Sequence, residues 1–100
     1  MKLQFTEAEI NIMQTALDRW GLNAQVGQTV EECAELIMAL QKYYRLPREE
    51  AVKNILDEIA DVEMMLAQMR LVFNIDDDAL RKRIEYKFER LSQYLSEDEG

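Results

Sequence analysis

Six carboxylates stand in two short clusters, Glu31-Glu32-Cys33-Ala34-Glu35 and Asp57-Glu58-Ile59-Ala60-Asp61. Each cluster lies inside an apolar run, where a charge needs a reason. So many oxygens suit the coordination of a hard divalent cation such as Mg²⁺ or Mn²⁺; the plain alternative is a solvated helix face. The rest of the composition narrows the choice. With His 0, the chain has no imidazole to act as general base, triad member or metal ligand. The lone Cys33 makes neither an internal disulfide nor a thiolate zinc cage. A balance of 20 acidic against 12 basic residues, net −8, argues against a broad basic surface for a nucleic acid polymer.

The elements that must position these groups read as helices. One Pro and three Gly interrupt apolar residues that recur at helical spacing, so the chain is expected to be all-α, with four helices and no strand. The first starts at Thr6, in a capping box with Glu9, buries Ile10, Met13, Leu17 and Trp20, and ends at Gly21. The second runs from about Asn23 to Arg45 with Val26, Val30, Cys33, Ile37, Leu40 and Tyr44 as its buried stripe. Leu46-Pro47 breaks it. The third begins near Pro47, its stripe Ile55, Ile59, Val62, Leu66 and Met69. After Asn74-Ile75-Asp76 the fourth presents Leu80, Ile84, Phe88, Leu91 and Leu95. The whole reads as a single domain over residues 1–100 with an acidic, disordered tail from about Ser96. A helical chain of this size gains stability by association, so self-assembly is expected. The opening Met1-Lys2-Leu3-Gln4-Phe5 is too short and polar for a signal core, and no apolar run approaches the ~18 residues of a membrane span. A cytoplasmic location without membrane contact is the expectation.

The short break at Pro47 makes the second and third helices antiparallel neighbours. At ~1.5 Å per residue Glu35 lies ~18 Å before the turn and Glu58 ~17 Å after it, with Glu31 and Glu32 at ~22 to 24 Å and Asp61 at ~21 Å. The two clusters therefore share one level of the hairpin. Two unit charges 4 Å apart repel by roughly 4 kcal/mol at an effective dielectric of 20, so the arrangement asks for a cation.

The order Glu31-Glu32-x-x-Glu35, then Glu58-x-x-Asp61, on consecutive helices of a small all-α chain, resembles the motif of the MazG-type nucleoside triphosphate pyrophosphohydrolases. Val26-Gly27-Gln28 through Leu40, and Ile55 through Leu66, fit the same pattern, and the likeness covers about residues 10 to 92. It implies a four-helix MazG-like bundle around an antiparallel helix hairpin, completed by oligomerisation to a homodimer or homotetramer. It implies Glu32, Glu35, Glu58 and Asp61 as Mg²⁺ ligands, with Mn²⁺ as substitute. Glu31 would be the catalytic residue that holds a second metal or orients the attacking water, with Asp57 behind the ligands. The implied reaction is hydrolysis of a (deoxy)nucleoside triphosphate between the α and β phosphates to a monophosphate and pyrophosphate, in house-cleaning of the nucleotide pool. Lys87 and Arg90 are similar to the basic pair that such proteins carry on the last helix for phosphate.

Other residues have weaker claims. Lys53 could help with phosphate from the start of the third helix, though a surface Lys near Glu49 and Glu50 is ordinary. Trp20, or a Tyr of Tyr43-Tyr44, could stack on a base and Gln28 could hydrogen-bond it, although core packing suits Trp20 as well. Met38, Met64 and Met65, off the main stripes, suit a subunit contact or a base pocket. Cys33, on the apolar stripe without a basic neighbour, is structural. Asn74, Asp76, Asp78 and Glu85 match the EF-hand positions, but Ala79 replaces its Gly and the segment reads better as a helix cap. Two rival functions remain: phosphoribosyl-ATP pyrophosphohydrolase, with a similar acidic site, and a non-catalytic helical module whose acidic face binds a basic partner.

Overall fold

Thr6 opens the first helix as expected: its hydroxyl accepts from Glu9 N at 3.1 Å while Glu9 Oε1 accepts from Thr6 N at 2.8 Å. The computed structural model describes residues 5–99; residues 1–4, on which the reading of the N-terminal segment falls, and Gly100 lie outside. Three helices follow, α1 (Glu7–Arg45), α2 (Glu49–Val72) and α3 (Asp77–Glu99), with no strand among the described residues. At Gly21 α1 leaves helical geometry, with φ 87° and ψ 170°, in the region where a Cβ is disfavoured. Helix resumes at once. Two of the four expected helices are thus the arms of one kinked helix, because a single Gly redirects the chain without a linker.

The turns explain their own residues. Leu46 N closes α1 by donating to Lys42 O at 2.9 Å, and Pro47 forces the break. Helix α2 starts at Glu49, with Arg48 as N-cap, so Pro47 stands just outside the first turn that it was expected to occupy. Asn74, at φ 52°, ends α2 in a left-handed cap: Ile75 N donates to Arg70 O at 2.9 Å and Asn74 N to Leu71 O at 3.3 Å. Asp76 Oδ1 then accepts from Asp78 N at 3.2 Å to start α3, and Glu85 pairs with Arg81 at 3.2 Å. Those roles leave no calcium loop. Helix α3 continues through Glu99, where a disordered tail was expected, since no Pro or Gly interrupts it before Gly100.

Helices α1 and α2 pack as an antiparallel hairpin, in which Gln25 opposes Gln68, Glu32 opposes Asp61 and Glu35 opposes Glu58. Met13, Leu17, Ala39, Met65 and Ala67 are its buried apolar side chains. The seam is turned by about one residue from the expected stripe of α1. Val30, Ile37, Leu40 and Tyr44 are exposed, Tyr44 to 89%, while Glu32, Leu36 and Ala39 face α2. On α2, Ile55, Val62 and Met69 are half-buried as expected, but Ile59 and Leu66 are exposed.

Helix α3 stands apart. No Cα of α3 comes within 8 Å of one in α1 or α2. Leu80 is half-buried where the start of α3 borders a small cavity with Ile10 and Ala67, and the expected stripe from Ile84 through Phe88, Leu91 and Leu95 is exposed. One chain therefore supplies a hairpin and a detached helix instead of a closed four-helix bundle. No described helix is long and apolar enough to cross a membrane.

Candidate metal centre

Two residues from each arm of the hairpin converge. Glu32 and Glu35 come from α1, Glu58 and Asp61 from α2, and one oxygen from each lies within 4.8 Å of all the others. The i, i+3 spacing puts each pair on one helix face, and the antiparallel register sets the faces opposite one another. Glu32, Glu58 and Asp61 are half-buried; Glu35 is exposed.

The electrostatics follow from crowding with no counter-charge. Among the described residues the ion pair found is Arg81–Glu85 on α3, so no Lys or Arg neutralises the cluster. Burial pushes the Glu32 carboxyl up to about 6, helped by its hydrogen bond to Asp61 and the charges of Asp61, Glu35 and Glu58. Glu58 is raised in the same direction by burial, then by the charges of Glu35 and Asp61 and a hydrogen bond to Glu35. Even so, Glu58 Oε2 is buried without a hydrogen-bond partner. A buried acceptor without a donor is costly. Four oxygen donors with one orphaned lone-pair site fit a hard divalent cation, which would offset their mutual repulsion and satisfy that oxygen.

The other residues singled out from the sequence divide clearly. Gln28 Nε2 donates to Glu32 Oε1 at 3.2 Å, and Gln28 also lines a cavity of about 850 Å³ beside the cluster. Trp20 lines the same cavity and is 61% exposed, so it is a rim residue instead of the core residue expected. Met64 and Met65 line it too, whereas Met38 is elsewhere and exposed. Glu31 is exposed and outside the group of four; Asp57 is exposed but its charge reaches Glu58. Lys53 is exposed on α2. Lys87 and Arg90 are not brought to the carboxylates within one chain, because α3 is detached; Arg90 instead donates to Tyr94 Oη at 3.0 Å. Cys33 is half-buried beside the seam.

Sequence reasoning passed over Gln25 and Gln68. They are the two buried polar side chains of the described residues, and Gln25 Nε2 donates to Gln68 Oε1 at 2.6 Å across the hairpin. A signal existed: each lies seven residues from a cluster member, Gln25 from Glu32 and Gln68 from Asp61, which is two helical turns along the same face. No protein-family model, curated protein or solved structure matches this chain in the comparisons made.

Proposed function

We propose that this chain is a MazG-type, Mg²⁺-dependent pyrophosphohydrolase that cleaves (deoxy)nucleoside triphosphates to monophosphate and pyrophosphate. The observation that carries this reading is the convergence of Glu32, Glu35, Glu58 and Asp61 within 4.8 Å, with Glu58 Oε2 buried and unpartnered, beside a cavity large enough for a nucleoside. The four carboxylates would hold the cation. Mg²⁺, or Mn²⁺ in its place, supplies Lewis acidity toward the phosphates and activates water, so the lack of His is no obstacle. Glu31, one residue from Glu32 and solvent-facing, would orient the attacking water. Gln28 ties the cavity to the carboxylates through its bond to Glu32, and Trp20 offers a stacking surface at the rim.

A triphosphate needs cations that the hairpin does not bring to its carboxylates. In this reading the chain works as a homodimer or homotetramer. The exposed stripe Val30, Ile37 and Leu40 and the exposed stripe Phe88, Leu91 and Leu95 would cover one another between copies, bringing Lys87 and Arg90 to a neighbour's phosphates. Lys53 would add a nearby positive charge from α2. The role in clearing surplus or non-standard nucleotides, in the cytoplasm, belongs to the same reading.

The test is pyrophosphate release from a panel of canonical and modified NTPs and dNTPs, and from phosphoribosyl-ATP, with and without Mg²⁺. Metal-dependent formation of NMP and pyrophosphate is the expected result. Turnover of phosphoribosyl-ATP alone moves the assignment to that hydrolase. No turnover and no Mg²⁺-dependent thermal shift at constant ionic strength leaves the acidic interaction module.

A further inference from the structure

The cavity beside the carboxylates is mostly apolar, with Met13, Ala16, Met65 and the Trp20 rim, yet Gln25 and Gln68 stand buried in its wall at 5% exposure each. A carboxamide has two donor hydrogens and an acceptor oxygen with two lone pairs. Their mutual bond uses one donor and one lone pair. Gln68 Nε2 otherwise meets only the Met65 sulfur, a weak acceptor at 3.6 Å. Gln25 Oε1 has no hydrogen-bond partner among the described residues, and Glu58 Oε2 is the side-chain atom found sealed without one, so the Gln25 oxygen remains accessible. A polar lock between two helices needs no cavity and no spare capacity. This couple has both.

On the pyrophosphohydrolase reading of the adjoining carboxylates, on which this assignment depends, we infer that Gln25 and Gln68 read the edge of the substrate's base. The ligand class is a nucleotide whose base presents a donor beside an acceptor, a pattern that a carboxamide matches bidentately. Each base offers that pair at a different place relative to its sugar, so two amides fixed in the cavity wall rank the bases.

Gln25→Met and Gln68→Met keep side-chain length and remove the amides. Kinetics over the base panel should show KM for the favoured base rising roughly tenfold to hundredfold, with the ranking of the bases flattened and the Mg²⁺ thermal shift retained. An unchanged base ranking, or an equal loss for every base, would assign the couple to helix packing and overturn the inference while leaving the pyrophosphohydrolase reading intact. A second measurement needs neither phosphate nor metal: fluorescence titration of Trp20, the single Trp, with free nucleosides. Quenching by the favoured nucleosides that is lost in Gln25→Met sustains base reading even where hydrolysis fails; no discrimination among nucleosides by the wild-type chain refutes it.

Discussion

The α1–α2 hairpin and helix α3 are built from similar amphipathic patterns but have opposite fates. In the hairpin the two helices are joined by a three-residue break, Leu46 to Arg48, so each presents a face to the other and burial can hold even carboxylates and amides at the seam. Helix α3 has an apolar stripe of comparable regularity, Ile84, Phe88, Leu91 and Leu95, but no element of its own chain to lay it on. Periodicity declares that a face wants burial; connectivity decides whether the same chain can supply the cover. The seam of the hairpin gathers four carboxylates with no Lys or Arg among the described residues paired to them, whereas on α3 Arg81 pairs with Glu85.

The largest effect expected on that contrast is at the carboxylates. Glu35→Gln or Glu58→Gln should lower pyrophosphate release by roughly a hundredfold to a thousandfold or more, with the helical circular dichroism spectrum unchanged. Full activity in either variant would remove the cation from this cluster. Next comes the division of labour between regions. Lys87→Ala combined with Arg90→Ala should cost roughly tenfold to hundredfold, and mixing that variant with Glu58→Gln should restore turnover that neither has alone. Absence of restoration after subunit exchange would mean that α3 does not serve a neighbouring site.

The carboxylates of the hairpin should also give the fold a pH dependence. Glu32 and Glu58 hold protons more tightly folded than unfolded, so their contribution to stability is complete below the ordinary carboxylate value of 4.5 and is lost as pH rises through about 6 for Glu32. The metal-free protein should therefore show a melting temperature that falls between about pH 5 and pH 7.5, with Mg²⁺ giving its greater stabilisation at the higher pH. A metal-free melting temperature that climbs over this range would contradict the raised Glu32 and Glu58 carboxyls. The smallest effect distinguishes packed from unpacked positions. Met65→Ala, buried in the hairpin, should cost about 2 to 3 kcal/mol in denaturant unfolding. Gly21→Ala should cost about 1 to 3 kcal/mol, from backbone conformation alone, since no atom lies within 4 Å of where its Cβ would stand.

Much of this was legible from residue order. The Thr6–Glu9 capping box, the breaks at Pro47 and Asn74, and the shared level of the two acidic clusters depend on local geometry and on counting residues from a turn. The orientation of α1 was not. Of the expected stripe, Val26 and Cys33 are half-buried, but Val30, Ile37, Leu40 and Tyr44 are exposed while the less apolar Glu32, Leu36 and Ala39 turn inward, so periodicity placed the seam about one residue off. Hydrophobic pattern alone cannot tell a face buried within a chain from one left for another copy, and that ambiguity hid Gln25 and Gln68 as well.

By itself the amino-acid sequence determined the helical class, the chain breaks, the absence of imidazole and the shared level of the two acidic clusters, because those follow from composition, propensity, capping and spacing along one chain. Tertiary structure alone decided that helix resumes directly after Gly21 with no linker, that the amide couple sits beside the carboxylates, and that α3 with its cations stands off the hairpin. Those outcomes depend on the rotation of one helix against another, and a turn of about 100° per residue changes which side chains meet while leaving every local preference satisfied.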